Sequence, residues 1–197
     1  MTGTIRYTLT LTILALAGGS TASAQGSSQS AMAADEGTTM VGGQAMYRTR
    51  DIVDNAVNSA EHTTLVSAVK AAGLVETLKG SGPFTVFAPT NAAFAALPEG
   101  TVPMLLEPKN REQLTRVLTY HVVPGRLDAA ALMGAIRKGH GKASLTTASG
   151  ETLWIMMNGD RNMVVRDAKG GVANISTYDV MQSNGIIHVV DRVLLLS

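Results

Sequence analysis

Cysteine is absent from the 197-residue chain. That excludes disulfides, thiolate zinc sites, a catalytic thiol and the lipid-bearing cysteine of a bacterial lipoprotein. An excess of charge is missing as well: 16 Lys+Arg stand against 15 Asp+Glu. Arg6 is the only charged residue before Gln25, so loss of residues 1–24 brings the basic count to 15 and the net charge to zero. A neutral chain offers no overall basic field for nucleic acid. No apolar run beyond the first nears the roughly 20 residues that cross a bilayer, so no integral membrane segment is expected in the mature chain. Enzyme signatures are missing too. There is no Gly-x-Ser-x-Gly elbow and no His-x-Glu or His-Glu-x-x-His metal spacing. Gly139-His140-Gly141-Lys142 has the look of a phosphate loop, but Ala143 stands where a Mg²⁺-binding hydroxyl is needed and the glycine spacing fails. It reads as a turn between helix and strand. The chain has no internal repeat, and neither an enzymatic activity nor a cofactor is expected.

What is present begins with a leader. Arg6 supplies a positive start, Leu9 to Ala17 a short apolar stretch, and Ala22-Ser23-Ala24 a small-residue cleavage site, so residues 1–24 read as a signal peptide and the mature chain as starting at Gln25. The apolar stretch is too short for an uncleaved anchor. Residues 25–46 are rich in Gly, Ser, Ala and Thr without periodicity and read as a flexible linker. Met32, Met40 and Met46 fall there; thioethers bind Cu(I), but their spacing is irregular and no His is near. About 150 residues remain, enough for one core without staples.

Order is expected from Tyr47 onward. Helices are predicted over Asp51–Asn58, from a cap at Thr63 or Thr64 to Gly73, and for a further turn around Leu74, Val75 and Leu78. Phe84 to Ala88 alternates as a strand, and Thr90 or Asn91 caps a helix to Leu97. More helical turns follow at Thr101–Leu106, from Asn110 through Leu118, and from Asp128 through Ile136. Tyr120 to Val123 reads as a strand between the last two. The second half is β: Lys142–Thr147, Thr152–Met157, Met163–Arg166, Gly171–Ile175 and Thr177–Val180, with turns at Ser149-Gly150, Asn158-Gly159 and Gly170-Gly171. The final stretch, Asn184-Gly185 followed by Ile186 to Leu196, is apolar on both strand faces and reads as a long central strand covered on both sides. Helices segregated from an antiparallel sheet define an α+β chain.

Three segments carry a family resemblance. Thr85-Val86-Phe87-Ala88-Pro89-Thr90-Asn91-Ala92-Ala93-Phe94 resembles the first box of fasciclin-like (FAS1, beta-Ig-H3) domains. Leu118-Thr119-Tyr120-His121-Val122-Val123-Pro124-Gly125 resembles their Tyr-His motif, and Ser183 to Asp191 their second box. All three come in the family's order, and the resemblance covers residues 47–197. It implies one domain, a twisted antiparallel β-wedge or sandwich wrapped by short helices. It also implies an exported protein, periplasmic, secreted or at the cell surface, that contacts an adhesion, matrix or envelope partner. Some fasciclin-like proteins hold carotenoids, which makes a small apolar ligand the alternative. Met104, Met133, Met156, Met157, Met163 and Met181, with Trp154, would supply adaptable apolar surface for one.

Candidate contact residues follow. Asp179, Val180 and Met181 stand where animal relatives carry an Asp-Ile-Met motif tied to integrin contact, although Thr177-Tyr178 replaces the Glu-Pro that precedes it there. Tyr120 and His121 come from the Tyr-His motif. Arg137, Lys138, His140 and Lys142 form a basic loop compatible with an anionic polysaccharide or lipid headgroup. Asn91, His121, Asn184, Gly185 and His188 are expected to be structural, with His121 buried and bonded to Asn91 or Thr90. Asp191 is expected at a sheet edge or beside a cation.

Overall fold

The computed structural model describes residues 38–196. The predicted leader, the linker up to residue 37 and Ser197 lie outside the described residues. Structure begins earlier than Tyr47. Thr39–Val41 (β1) and Gln44–Met46 (β2) form a hairpin across Gly42-Gly43, both at positive φ. Two glycines free to adopt that conformation make the tight two-residue turn possible. Val41 and Met46 are buried in the core. Residues 39–46 are therefore part of the domain, and Met46 is a core residue and not a copper ligand.

Short helices come next: α1 (Ile52–Ala56), α2 (Thr63–Ala72) and α3 (Val75–Lys79), then, after strand β3 (Phe84–Pro89), α4 (Asn91–Ala95), α5 (Thr101–Leu106) and α6 (Arg111–Tyr120). Asp51 and Thr90 cap α1 and α4 through their side chains. Gly73 closes α2 in the left-handed conformation. Strand β4 (Val122–Pro124) leads to α7 (Ala129–Lys138), which Asp128 caps. Hairpins of β5 (Lys142–Thr146), β6 (Thr152–Asn158) and β7 (Asn162–Arg166) run into β8 (Val172–Gln182) and β9 (Gly185–Val190).

The seven strands β3 to β9 form one sheet in the order β4-β3-β9-β8-β7-β6-β5. An amide of Ala148, just past β5, reaches the Val122 carbonyl of β4 at 2.7 Å, so the two edges approach and the sheet curls into a wedge. The α+β reading and the helix-wrapped wedge hold. One pairing differs from a purely antiparallel sheet: β3 and β9 run parallel, Phe84 opposite Gly185 through Pro89 opposite Val190. The two strands expected over 171–180 are one strand, β8, bent by register shifts after Ile175 and Thr177.

β9 lies between β3 and β8, and all six of its residues are buried. Val86, Ala88, Ile187 and Val189 face a core closed by α1, α2, α4 and α6. Phe87 and Val190 face a second core inside the wedge with Leu132, Ile136, Leu153, Ile155 and Val165. Burying each such aliphatic side chain contributes roughly 1.5–3 kcal/mol, which is why one C-terminal strand organises both layers. The ladder stops at Val190, short of the predicted Leu196. Val193 and Leu194 still pack, one into each core, on extended chain held by side chains instead of by a neighbouring strand.

Candidate functional site

Asn91, Tyr120, His121, Asn184 and His188 of the three signature segments are braces that tie separate elements together. Asn91 bridges helices: its Oδ1 accepts from the Thr64 amide at 3.0 Å and the Thr63 hydroxyl at 3.2 Å, while its Nδ2 donates to the Ala60 carbonyl at 2.9 Å. It thus caps α2 from outside that helix, the role the sequence suggested for Thr63 or Thr64. It does not touch His121, and Thr90 is spent on Ala93. The expected partner of His121 is therefore corrected.

His121 is the C-cap of α6 and not a strand residue. Its Nδ1 donates to the Val117 carbonyl at 2.8 Å, which leaves Nε2 to accept the Leu194 amide at 3.0 Å. Complete burial lowers its pKa to about 4, so the ring is neutral at pH 7. Tyr120, also buried, donates from its hydroxyl to the Thr152 carbonyl and accepts from the Ala168 amide. Both residues were candidate contact residues. Enclosed as they are, they have no side-chain surface to present to a partner.

His188 repeats the logic inside the wedge. Nε2 donates to the Leu127 carbonyl at 2.8 Å and Nδ1 accepts from the Asp179 amide at 3.3 Å. Its ring stacks on Phe87 with centroids 5.7 Å apart, and burial lowers its pKa. Asn184 accepts from the Ile52 amide at 3.1 Å and donates to the carbonyls of Leu78 at 2.7 Å and Gly80 at 3.0 Å, tying α1 and α3 to the β8–β9 turn. Gly185 is required by packing: a Cβ there would lie 2.2 Å from the Phe84 carbonyl oxygen across the parallel pair.

Asp179, Val180 and Met181 sit in the bent middle of β8, not on a loop. Asp179 has φ of 55°, and its Oδ1 accepts the Ala129 amide at 2.7 Å, satisfying a free donor at the start of α7. Val180 is 1% exposed and belongs to the core, which removes it as a contact residue; Met181 is half-buried. Asp191 meets no cation; its carboxylate accepts from the Asn174 amide and side chain at 2.8 and 2.7 Å.

Several braces went unread in the sequence. Buried Asn55 accepts from the backbone amide of Tyr47, donates to its carbonyl and contacts Gln182. Thr85 donates to the Gly125 carbonyl and accepts from the Leu127 amide. Asp167, 3% exposed, accepts from the amides of Gly171 and Leu195. Only a polar residue inside an apolar run could have marked them.

The basic loop is on the outside. Arg137, Lys138, His140 and Lys142 are all exposed, and the Lys142 ammonium stands 5.9 Å from the Trp154 ring centroid. The apolar crevice lies elsewhere, between α1, α2, α3, β3 and α6, lined by Ile52, Leu65, Val69, Leu74, Phe84 and Leu118 among others. No methionine and no tryptophan lines it, contrary to the expectation for a ligand surface. Its free space is about 90 Å³, below the roughly 150 Å³ of an engineered cavity that admits benzene. Among the described residues, no group of three or more His, Asp or Glu is placed to hold a metal, and no helix is long and apolar enough to cross a membrane.

A helix-wrapped β-wedge braced by the Asn91, His121, Asn184 and His188 side chains of its signature segments is the architecture of a FAS1 domain. Residues 60–196 match the fasciclin-domain family model, and the chain belongs to that family. It is 43% identical over 166 residues to protein sll1483 of Synechocystis, with 83% of each chain covered. It is 35% identical to the immunogenic protein MPB70 of Mycobacterium bovis, covering 71% of this chain and 66% of that one. Pig transforming growth factor-beta-induced protein ig-h3 is 34% identical, but the match spans only 19% of that longer protein. The fold superposes with a TM-score of 0.66 on a FAS1 domain pair from the insect cell adhesion molecule Fasciclin I, at 18% identity, covering 74% of this chain and 51% of the pair.

Proposed function

We propose that this protein is an exported, non-enzymatic interaction module that contacts an extracytoplasmic surface component, of matrix, envelope or neighbouring cell, through its exterior. The observation that carries the reading is the disposition of polar groups. Asn91, His121, Asn184, His188 and Asp179 are each committed to backbone partners inside the domain. Recognition is then left to the loops and to the outer face of the sheet, carried on a rigid core. Family membership supports the reading, as does a structural neighbour that belongs to a cell adhesion molecule. The apolar-ligand alternative is the weaker one, because the crevice has to open before it can take a carotenoid-sized molecule.

The test is expression of the full chain in a bacterial host, fractionation, and intact mass of the exported form. A mass corresponding to a start at Gln25, a colourless protein, and sedimentation with isolated envelope or matrix fractions support the reading. Retention in the cytoplasm, or visible absorbance and excess mass from a bound chromophore, would replace it.

A further inference from the structure

The outer face of the β5–β8 sheet holds the chain's single tryptophan between cations. Trp154 on β6 is directly opposite Ser144 on β5 and Arg166 on β7. The Lys142 ammonium lies 5.9 Å from its ring centroid, near the outer limit of cation–π contact. Lys142, Trp154, Arg166, Ala168 and Gly170 line a depression of about 220 Å³. That is less than the roughly 300–1,000 Å³ of a pocket for a drug-sized ligand, but it suits one ring of a polymer that continues over the surface.

Two of the residues that line the depression are cations, Lys142 and Arg166. Arg137, Lys138 and His140 precede Lys142 at the end of α7, and Lys169 stands in the β7–β8 turn. The ion pairs among the described residues involve Lys79, Lys109 and Arg116, and none of these cations. The nearby carboxylates are accounted for differently. Asp167 also borders the depression, yet it is buried with its oxygens on the amides of Gly171 and Leu195. Glu151 is held by Arg116 at 3.0 Å. Asp160 lies on the β6–β7 turn. The depression thus carries two cations, Lys142 and Arg166, that no carboxylate among the described residues pairs, and such a site attracts anions.

We infer that this face, centred on Trp154, Lys142 and Arg166, binds an acidic polysaccharide. This rests on the surface-contact reading and names its partner class. The chemistry fits each part. The C–H face of a pyranose ring lies flat on an indole, and Trp154 is half-buried on β6 and lines the depression. A guanidinium forks onto a carboxylate or sulfate with two parallel hydrogen bonds. Cations on both sides of the ring suit a chain bearing a charge on successive sugars. A lipid bilayer fits less well, because Trp154 and Met156 are half-buried in a pleated sheet and do not project as an insertion wedge.

Trp154 is also the reporter, since no other tryptophan contributes to emission. The mature chain is titrated with polygalacturonate and, separately, with neutral dextran and with phosphatidylglycerol vesicles. The expected result is a saturable change in Trp154 emission with polygalacturonate only, weakening as salt rises from about 20 to 200 mM. Arg166→Gln and Lys142→Gln should each weaken binding roughly tenfold, as the loss of a charge-assisted contact does. Trp154→Leu should weaken it by calorimetry without altering the melting temperature. Equal binding of dextran, unchanged affinity in the two charge variants, or binding of the vesicles in place of the polymer would overturn the inference. Binding to envelope fractions without binding to polygalacturonate overturns it and leaves the surface-contact reading standing. Binding to neither overturns both.

Discussion

His121 Nε2 accepts the backbone amide of Leu194 at 3.0 Å across 73 positions of sequence. The bond joins the end of α6 to the extended chain that follows β9, and it exists only while the ring is neutral. Burial lowers the pKa of His121 to about 4, and burial lowers those of His188 and His62 as well. Each folded pKa is depressed, so the stability contribution is full above the unfolded value of about 6.5 and is lost as pH falls through the folded value. For His121 alone this is on the order of 3 kcal/mol between about pH 6.5 and 4. Thermal melts should be flat from neutral pH upward and should fall steeply across that window. A profile flat down to pH 4 would contradict the hydrogen-bond assignment.

Asn184 replaced by Ala strands the Ile52 amide and the carbonyls of Leu78 and Gly80. At about 1 kcal/mol for each bond, Asn184→Ala should lose about 3 kcal/mol in urea unfolding. Asn184→Asp, which keeps the acceptor but not the donor, should retain part of that.

Gly185→Ala should be worse than either. Its methyl would enter the Phe84 carbonyl, and relief requires β3 and β9 to separate. The expected cost is about 4 kcal/mol or more, read as poor soluble yield or a large drop in melting temperature.

Asp179→Ala removes an acceptor from the first turn of α7. Loss of such a group costs about 1 kcal/mol. Binding to envelope fractions should be unchanged at temperatures where the variant is folded. A selective loss of binding at full stability would return Asp179 to the contact surface.

These outcomes turn on which features are local in sequence. The helices of the first half, the hairpins of the second and the two-sided burial of Ile187, Val189 and Val190 were legible, because periodicity and turn residues are local signals. Tyr120 and His121 were read as a strand because they adjoin Val122 and Val123, yet the face of Leu114, Val117 and Leu118 continues the helix through Tyr120. The β1–β2 hairpin was missed because three-residue strands show no period, although Gly42-Gly43 is itself a hairpin signal. The parallel β3–β9 pair and the partners of His121, Asn55 and Asp167 are set by topology across long separations, which no window of sequence contains. The basic loop was legible as charge. Its neighbour Arg166, brought in by strand register, was not.

The central claim is that the signature histidines and asparagines hold the fold while recognition lies outside. The most direct measurement compares envelope-fraction binding by the wild-type chain, His121→Gln and Arg166→Gln, each at a temperature where circular dichroism shows it fully folded. The account predicts that His121→Gln melts several degrees lower, as a loss of about 1–2 kcal/mol does in a domain this size, but binds like wild type. It predicts that Arg166→Gln melts like wild type and binds more weakly. The reverse pattern, with binding lost in folded His121→Gln and kept in Arg166→Gln, would contradict it.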